Sequence, residues 1–133
     1  MTTKAFLCVD DDELILTSLR DQIISHFGHK YIYEMAESVA EAWEVIEELA
    51  EHNVKILIII SDWLMPGIKG DEFLIQVHQK YPHIIKVLLT GQADKKAVER
   101  TKKEAHLHRY LLKPWDKQTL INTIETGLEI INA

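Results

Sequence analysis

Cysteine occurs once in the 133 residues, at Cys8, so no internal disulfide can form. Its place inside the run Ala5-Phe6-Leu7-Cys8-Val9 marks it as a small core side chain, not a nucleophile. Three prolines and five glycines leave little material for linkers. No apolar run approaches the ~20 residues that span a bilayer, and Met1-Thr2-Thr3-Lys4 leads into a stretch too short for a secretory signal. A cytoplasmic location without membrane contact is the expectation. A glycine-rich phosphate loop is also missing, as are an HExxH pattern and any Cys/His cluster, so nothing supports nucleotide binding. The seven histidines, His26 with His29 and His106 with His108 among them, are spaced too sparsely for a metal and read as solvated surface.

The apolar content of 47% and charged content of 27% belong to a globular chain, and the length is that of one domain covering residues 1–133. Net charge is −6, which argues against direct nucleic-acid binding, since that affinity rests on neutralising phosphates. The charge is uneven. Residues 1–60 carry 4 basic and 12 acidic side chains, whereas residues 61–133 carry 11 basic and 9 acidic ones. The acid gathers at Glu37, Glu41, Glu44, Glu47, Glu48 and Glu51, the base at Lys95, Lys96, Arg100, Lys102 and Lys103. Such runs read first as solvated faces.

Strand-length apolar runs recur at residues 5–9, 56–60, 84–89 and 110–112, and the longer ones are continuous, as in strands covered on both faces. Residues 31–36 alternate weakly and make the least defined strand. Between the runs, helical stripes appear: Leu14/Leu16/Leu19/Ile23/Ile24, Val39/Ala42/Trp43/Ile46/Leu49, Phe73/Leu74/Val77 and Leu120/Ile121/Ile124/Leu128. Ser38 with Glu41 reads as a capping box, Gly28 as a helix stop and Asp116 as a cap. The segment from Gln92 to Glu104 is charged and thinly apolar, a helix with a narrow contact face. Five βα units in succession predict an α/β fold: a doubly wound, five-stranded parallel sheet, helices on both faces, ligand site beyond the carboxyl ends of the strands.

At those ends the sequence places chemistry. Asp10-Asp11-Asp12-Glu13 follows the first run, Ser61-Asp62 the second long one, Thr90-Gly91 the next, and Lys113-Pro114 the last. Converging carboxylates repel unless a cation compensates, so the cluster predicts a hard metal with oxygen ligands, Mg²⁺ being the natural choice. A carboxylate can accept a phosphoryl group, and a hydroxyl and an ammonium can hold its oxygens. Taken singly, each residue has a blander reading as a cap, a turn or a loop dipeptide; Asp12 in particular reads as the cap of the helix from Glu13. Pro66 and Gly67 shape the loop after Asp62 and present its carboxylate to solvent, and Gly70 relaxes the backbone before a helix starting near Asp71.

The segments Val9-Asp10-Asp11-Asp12, Ser61-Asp62-Trp63-Leu64-Met65-Pro66-Gly67 with Gly70, Leu88-Leu89-Thr90-Gly91 and Tyr110-Leu111-Leu112-Lys113-Pro114-Trp115 resemble response-regulator receiver domains of two-component signal transduction, over nearly the whole chain. The resemblance implies the flavodoxin-like (βα)5 fold of chemotaxis regulators. It implies Asp62 as phosphoacceptor, Asp10, Asp11, Asp62 and the Trp63 carbonyl around Mg²⁺, Thr90 as switch hydroxyl, Lys113 as phosphoryl contact and Tyr110 as aromatic switch. The implied role is a phosphorylation-switched binding module, not a turnover enzyme, served by a sensor histidine kinase or a phosphotransfer protein. Residues 92–104, from Gln92 to Glu104, with Tyr110 and Trp115 form the expected partner face, for a second copy of the chain among others.

Two other readings stay open. One is an Asp-dependent Mg²⁺ phosphatase or phosphotransferase, which needs a proton-transferring carboxylate two residues beyond the nucleophile, where this chain has Leu64. The other is a receiver-like interaction domain that is never phosphorylated. Leu64 and Gln92, two beyond Asp62 and Thr90, flank the path of an attacking water, and neither is a base, so slow loss of the phosphoryl group is expected.

Overall fold

The computed structural model describes residues 3–91 and 95–132. Strands and helices alternate: β1 (Lys4–Val9), α1 (Glu13–Phe27), β2 (Ile32–Ala36), α2 (Val39–Glu51), β3 (Lys55–Asp62), α3 (Gly70–Lys80), β4 (Ile85–Thr90), α4 (Lys95–Ala105), β5 (Arg109–Leu112) and α5 (Lys117–Asn132). The five strands are parallel in one sheet of order β2-β1-β3-β4-β5. The expected doubly wound fold is therefore observed. The chain steps outward from β1 to β2, then crosses back to β3 on the other side, which makes the β1/β3 edge the topological switch point.

The continuous apolar runs are explained by two cores, one on each face of the sheet. Ala5, Leu7 and Val9 pack with Ala42, Ile46, Phe73, Leu74 and Val98, whereas Phe6 and Cys8 pack with Leu19, Ile23, Leu120 and Ile124. Side chains alternate across a strand, so a strand sandwiched between helices must be apolar at every position. Cys8 is fully buried, and burial first, the Asp10 charge second, push its thiol up to about 12, which keeps it inert. Strand β2 reads weakly in sequence because it is an edge strand, half-buried on both faces until Ala36. No helix among the described residues is long and apolar enough to cross a membrane.

Helix boundaries follow the local chemistry. Asp12 caps α1, its carboxylate accepting from the Leu14 N–H at 2.9 Å. Ser38 caps α2 through the Glu41 N–H at 3.1 Å, and Glu41 reaches back to the Glu37 N–H at 3.3 Å, one residue earlier than a strict box. Asp116 accepts from the Thr119 N–H at 3.3 Å, and Gly28 ends α1 at φ 70° with its N–H on the Ile24 carbonyl. Leu14 departs from its expected place in the apolar stripe: it is 80% exposed, because at about 100° per residue it lies on the side of α1 opposite the buried Leu16, Leu19 and Ile23. Trp43 meets Phe73 edge-to-face at 5.7 Å, as a core residue should. Gln92, the first residue of the expected basic helix, lies outside the described residues, and α4 is described from Lys95.

Two histidines are structural where solvated surface was expected. His108 Nε2 lies 3.1 Å from the Thr123 carbonyl and 2.9 Å from Thr126 Oγ1, joining the start of β5 to α5. His78 Nδ1 lies 3.0 Å from Lys86 Nζ, and its ring stacks 4.4 Å from that of His106. Lys86 itself sits in an otherwise apolar strand and is only 2% exposed, its ammonium also donating to the Ile84 and Pro82 carbonyls at 2.7 and 3.3 Å. Three donors thus meet three acceptors, which makes burial tolerable. Burial still opposes the charge and draws the Lys86 pKa from 10.5 down to about 8.

That shift has a testable sign. Between about pH 8 and 10.5 the unfolded chain holds a proton on Lys86 that the folded chain has released, so stability rises with pH across this window. The gain should approach about 3 kcal/mol relative to Lys86→Met, which lacks the titration. Denaturant midpoints of both proteins at pH 7.5 and 10 measure it; equal pH slopes would show that Lys86 is not buried as a cation.

Candidate functional site

Four strands deliver the site at the carboxyl edge of the sheet. Val9 and Ser61 are register partners across β1 and β3, so Asp10 and Asp62, the next residues along, emerge side by side. Asp62 closes β3 opposite Leu89, and the Trp63 N–H donates to the Leu89 carbonyl at 2.8 Å. The Lys113 N–H donates to the Thr90 carbonyl at 2.8 Å, which carries the lysine alongside the end of β4. The Lys113–Pro114 peptide bond is cis.

Lys113 Nζ lies 2.8 Å from Asp10 Oδ2 and 3.0 Å from Asp62 Oδ1, bridging both carboxylates. Asp10, Asp11 and Asp62 each offer a carboxylate oxygen within 4.8 Å of the others. Asp10 is fully buried, Asp62 is 5% exposed and Thr90 1%, while Asp11 stands open to solvent. Burial raises the Asp62 pKa, the Lys113 hydrogen bond opposes this, and the Asp10 and Asp11 charges add to the rise. Burial works against the Lys113 charge too, but its bonds to Asp10 and Asp62 prevail and raise its pKa. The site therefore holds an excess of negative charge with one cation bound into it, and the donor set is all oxygen, as a hard divalent ion requires.

The residues expected from the sequence converge, with amendments. Asp62 was expected at the solvent surface; it is instead buried, 5% exposed, as the last residue of β3. The Trp63 carbonyl accepts the Gly70 N–H at 2.8 Å, which leaves one lone pair for any other partner. Asp12 is turned to its capping task. Tyr110 is 39% exposed, with Lys102 Nζ 5.9 Å from its ring centre. Trp115 is half-buried, its Nε1–H donating to Gln22 Oε1 on α1 at 2.8 Å, so it is less of a displayed aromatic than expected.

Gly70 has a different reason from the one expected. A Cβ there would fall 1.8 Å from the Asp62 carbonyl oxygen and 3.0 Å from Ser61 Oγ, because α3 begins against the backbone of β3. Close approach, not backbone freedom, demands glycine; freedom is needed at Gly67, where φ is 84°. Sequence reasoning passed over Arg100, which binds Glu72 Oε2 at 2.6 Å, Asp71 Oδ2 at 3.5 Å and Glu104 Oε2 at 3.1 Å. It ties α4 to the first turn of α3. Glu72 and Asp71 lie 28 and 29 positions before this lone arginine in a lysine-rich stretch, so no local pattern signals the pairing.

A doubly wound sheet of order 2-1-3-4-5 with an acidic cluster at its switch point defines the receiver class of α/β module. The comparisons agree. The model of the response regulator receiver domain matches residues 6–125. A chemotaxis protein CheY homolog of Campylobacter jejuni is 27% identical over 124 residues, covering 92% of this chain and 91% of that protein. The signal receiver domain of an HD domain-containing protein from Pseudomonas fluorescens Pf-5 superposes with a TM-score of 0.83 at 29% identity, covering 95% of this chain and 94% of the other. The hydrogenase transcriptional regulatory protein HoxA of Cupriavidus necator is 34% identical over 74 residues, 56% of this chain but only 15% of that protein's length. The chain belongs to the response regulator receiver family, a family of signalling modules in two-component systems.

The Gly70 contact gives a direct test of how the site is framed. Gly70→Ala should destabilise by about 3 kcal/mol or more, the upper end for overpacking, because the nearest atoms are backbone. Gly91→Ala, with nothing within 4 Å of its Cβ, should stay within about 0.5 kcal/mol of wild type. Chemical denaturation of the two variants makes the comparison, and equal losses would refute the close approach.

Proposed function

We propose that residues 1–133 form one receiver domain that accepts a phosphoryl group on Asp62 from a histidine kinase or phosphotransfer protein and thereby changes a binding surface. The observation that carries this reading is the convergence of Asp10, Asp11 and Asp62 around Lys113 at the switch point. An Asp62 carboxylate oxygen attacks phosphorus, the bond to the donor's imidazole nitrogen breaks, and the electron pair leaves with that nitrogen. Asp10, Asp11, Asp62 and the Trp63 carbonyl would hold Mg²⁺, which supplies charge neutralisation for the transferring oxygens. Lys113 already contacts Asp62 and is placed to follow the new charge, while the Thr90 hydroxyl, at the end of the adjacent strand, offers a donor to another phosphoryl oxygen.

The phosphoryl group adds nearly two negative charges to a pocket that is already acidic. Thr90 and Tyr110, on neighbouring strands β4 and β5, are the proposed relay to α4, and the face of α4 with Tyr110 the proposed output surface, a second copy of the chain being one partner. Trp115 borders that face at Tyr110 and Lys102. A cytoplasmic setting fits this role, as does a lack of direct nucleic-acid contact by an acidic chain. Leu64, 53% exposed and unable to move a proton, supports slow hydrolysis of the acyl phosphate and weighs against a phosphatase.

Incubation with acetyl phosphate and Mg²⁺ should add one phosphoryl group to the wild type and none to Asp62→Asn, as read by intact-protein mass spectrometry. Equal labelling of the variant would remove Asp62 as acceptor, and no labelling of either would favour an interaction domain that is never phosphorylated.

The metal gives an independent readout. Binding only to the folded state at ten times the dissociation constant adds about 1.4 kcal/mol, so Mg²⁺ should raise the melting temperature. Asp11→Ala, at an exposed position, should fold normally and lose this rise. A rise of the same size in the variant would place the ion elsewhere.

A further inference from the structure

A cavity of about 570 Å³ opens at the other end of the sheet. Lys55 begins β3 and Asp62 ends it, so seven residue steps, roughly 23 Å at about 3.3 Å each, separate this cavity from the acidic cluster. It is bounded by the start of β3, the α3–β4 and α4–β5 connections and the last turn of α5. Ile56, Ile85, Leu107 and Ile131 give it an apolar lining, and its volume falls in the range of about 300–1,000 Å³ common to small-molecule sites.

Every charged or titratable side chain in its wall is basic: Lys55, His83, Lys86, His106 and His108. In a chain of net charge −6 this is a local reversal of sign. Lys86 sets the field. Its ammonium is buried, its three bonds go to the neutral acceptors His78 Nδ1, Pro82 O and Ile84 O, and no carboxylate among the described residues pairs with it. A buried cation without a counter-charge leaves a positive potential in the adjoining low-dielectric space. His108 is committed to α5, but Lys55 and His83 are exposed at the mouth and stand together, since both also line the smaller adjacent cavity of about 140 Å³.

We propose that this cavity binds a small organic monoanion, an aryl or short alkyl body seated on Ile56, Ile85, Leu107 and Ile131 with a carboxylate directed to Lys55 and His83. The apolar lining supplies affinity, and the uncompensated charge of Lys86 selects the anion over its neutral analogue. The proposal is independent of phosphoryl transfer at Asp62, which lies at the opposite edge.

The test titrates 2-naphthoate into the whole chain at pH 7, followed by calorimetry and amide chemical shifts, beside uncharged 2-naphthalenemethanol. Saturable one-to-one binding of the carboxylate is expected, weakened about tenfold or more for the alcohol and for the Lys55→Glu/His83→Glu double variant. Both substituted positions are exposed, and an unchanged melting temperature without ligand verifies the fold. Ile130→Trp, at a lining residue that is 56% exposed, should block the carboxylate and the alcohol alike. No saturation by about 5 mM carboxylate, equal binding of the alcohol, or full binding in either variant would overturn the proposal.

Discussion

The bridge from Lys113 to Asp10 and Asp62 is the interaction on which the rest of the molecule turns. Asp10 is wholly buried and Asp62 nearly so, and two carboxylates in that position repel each other and forfeit their hydration. One ammonium at about hydrogen-bond distance from both makes the arrangement tenable. It can reach them only because β5 lies beside β4 and ends one residue before Lys113, and because β1 and β3 are adjacent although their ends, Val9 and Asp62, are 53 positions apart. The order of strands is thus a condition of the site's electrostatics. A receiver with β5 elsewhere would leave a buried pair of carboxylates without a cation.

The second constraint is steric. Where α3 starts, its backbone lies against the Asp62 carbonyl with no room for a Cβ, so the helix start and the strand end are in direct backbone contact. From there Asp71 and Glu72 meet Arg100, and through it α4. A continuous chain of packed backbone and ion pairs therefore leads from the candidate phosphoacceptor to the proposed output helix. The pairs of Arg100 with Glu72 and Glu104 are exposed and individually weak, of the order of 0.2–1 kcal/mol each, whereas Asp71 is buried. This chain of contacts runs across the helical face, beside the proposed relay through Thr90 and Tyr110.

The two ends of the sheet carry opposite fields. Acidic groups gather where the strands finish, and basic ones where they begin, with Lys86 and three histidines lining the cavity at the start. Parallel strands make such polarity possible, because every strand contributes its carboxyl end to one edge and its amino end to the other. The lysine buried at the amino edge is tolerated through carbonyls of the connection from Pro82 to Ile84 rather than through a carboxylate.

By itself the sequence determined the class of fold and pointed to the residues of the candidate site. Runs such as Ile56 to Ile60 are apolar at every position because both faces of the sheet are covered, and that pattern is local enough to read directly. Asp10, Asp62, Thr90 and Lys113 were legible because each directly follows or ends such a run, and parallel strands bring equivalent ends together. Caps at Asp12, Ser38 and Asp116 were legible for the same local reason. What tertiary structure alone decided are the pairings between residues far apart in the chain. The burial of Asp62, the need for glycine at 70, the hold of Arg100 on Asp71 and Glu72, and the cation Lys86 within an apolar strand all depend on which backbone lies opposite which, and no period or motif records that. Leu14, 80% exposed, shows a limit in the other direction: an apolar residue two positions before Leu16 lies on the far side of the helix, and apolar character alone does not place a side chain in the core.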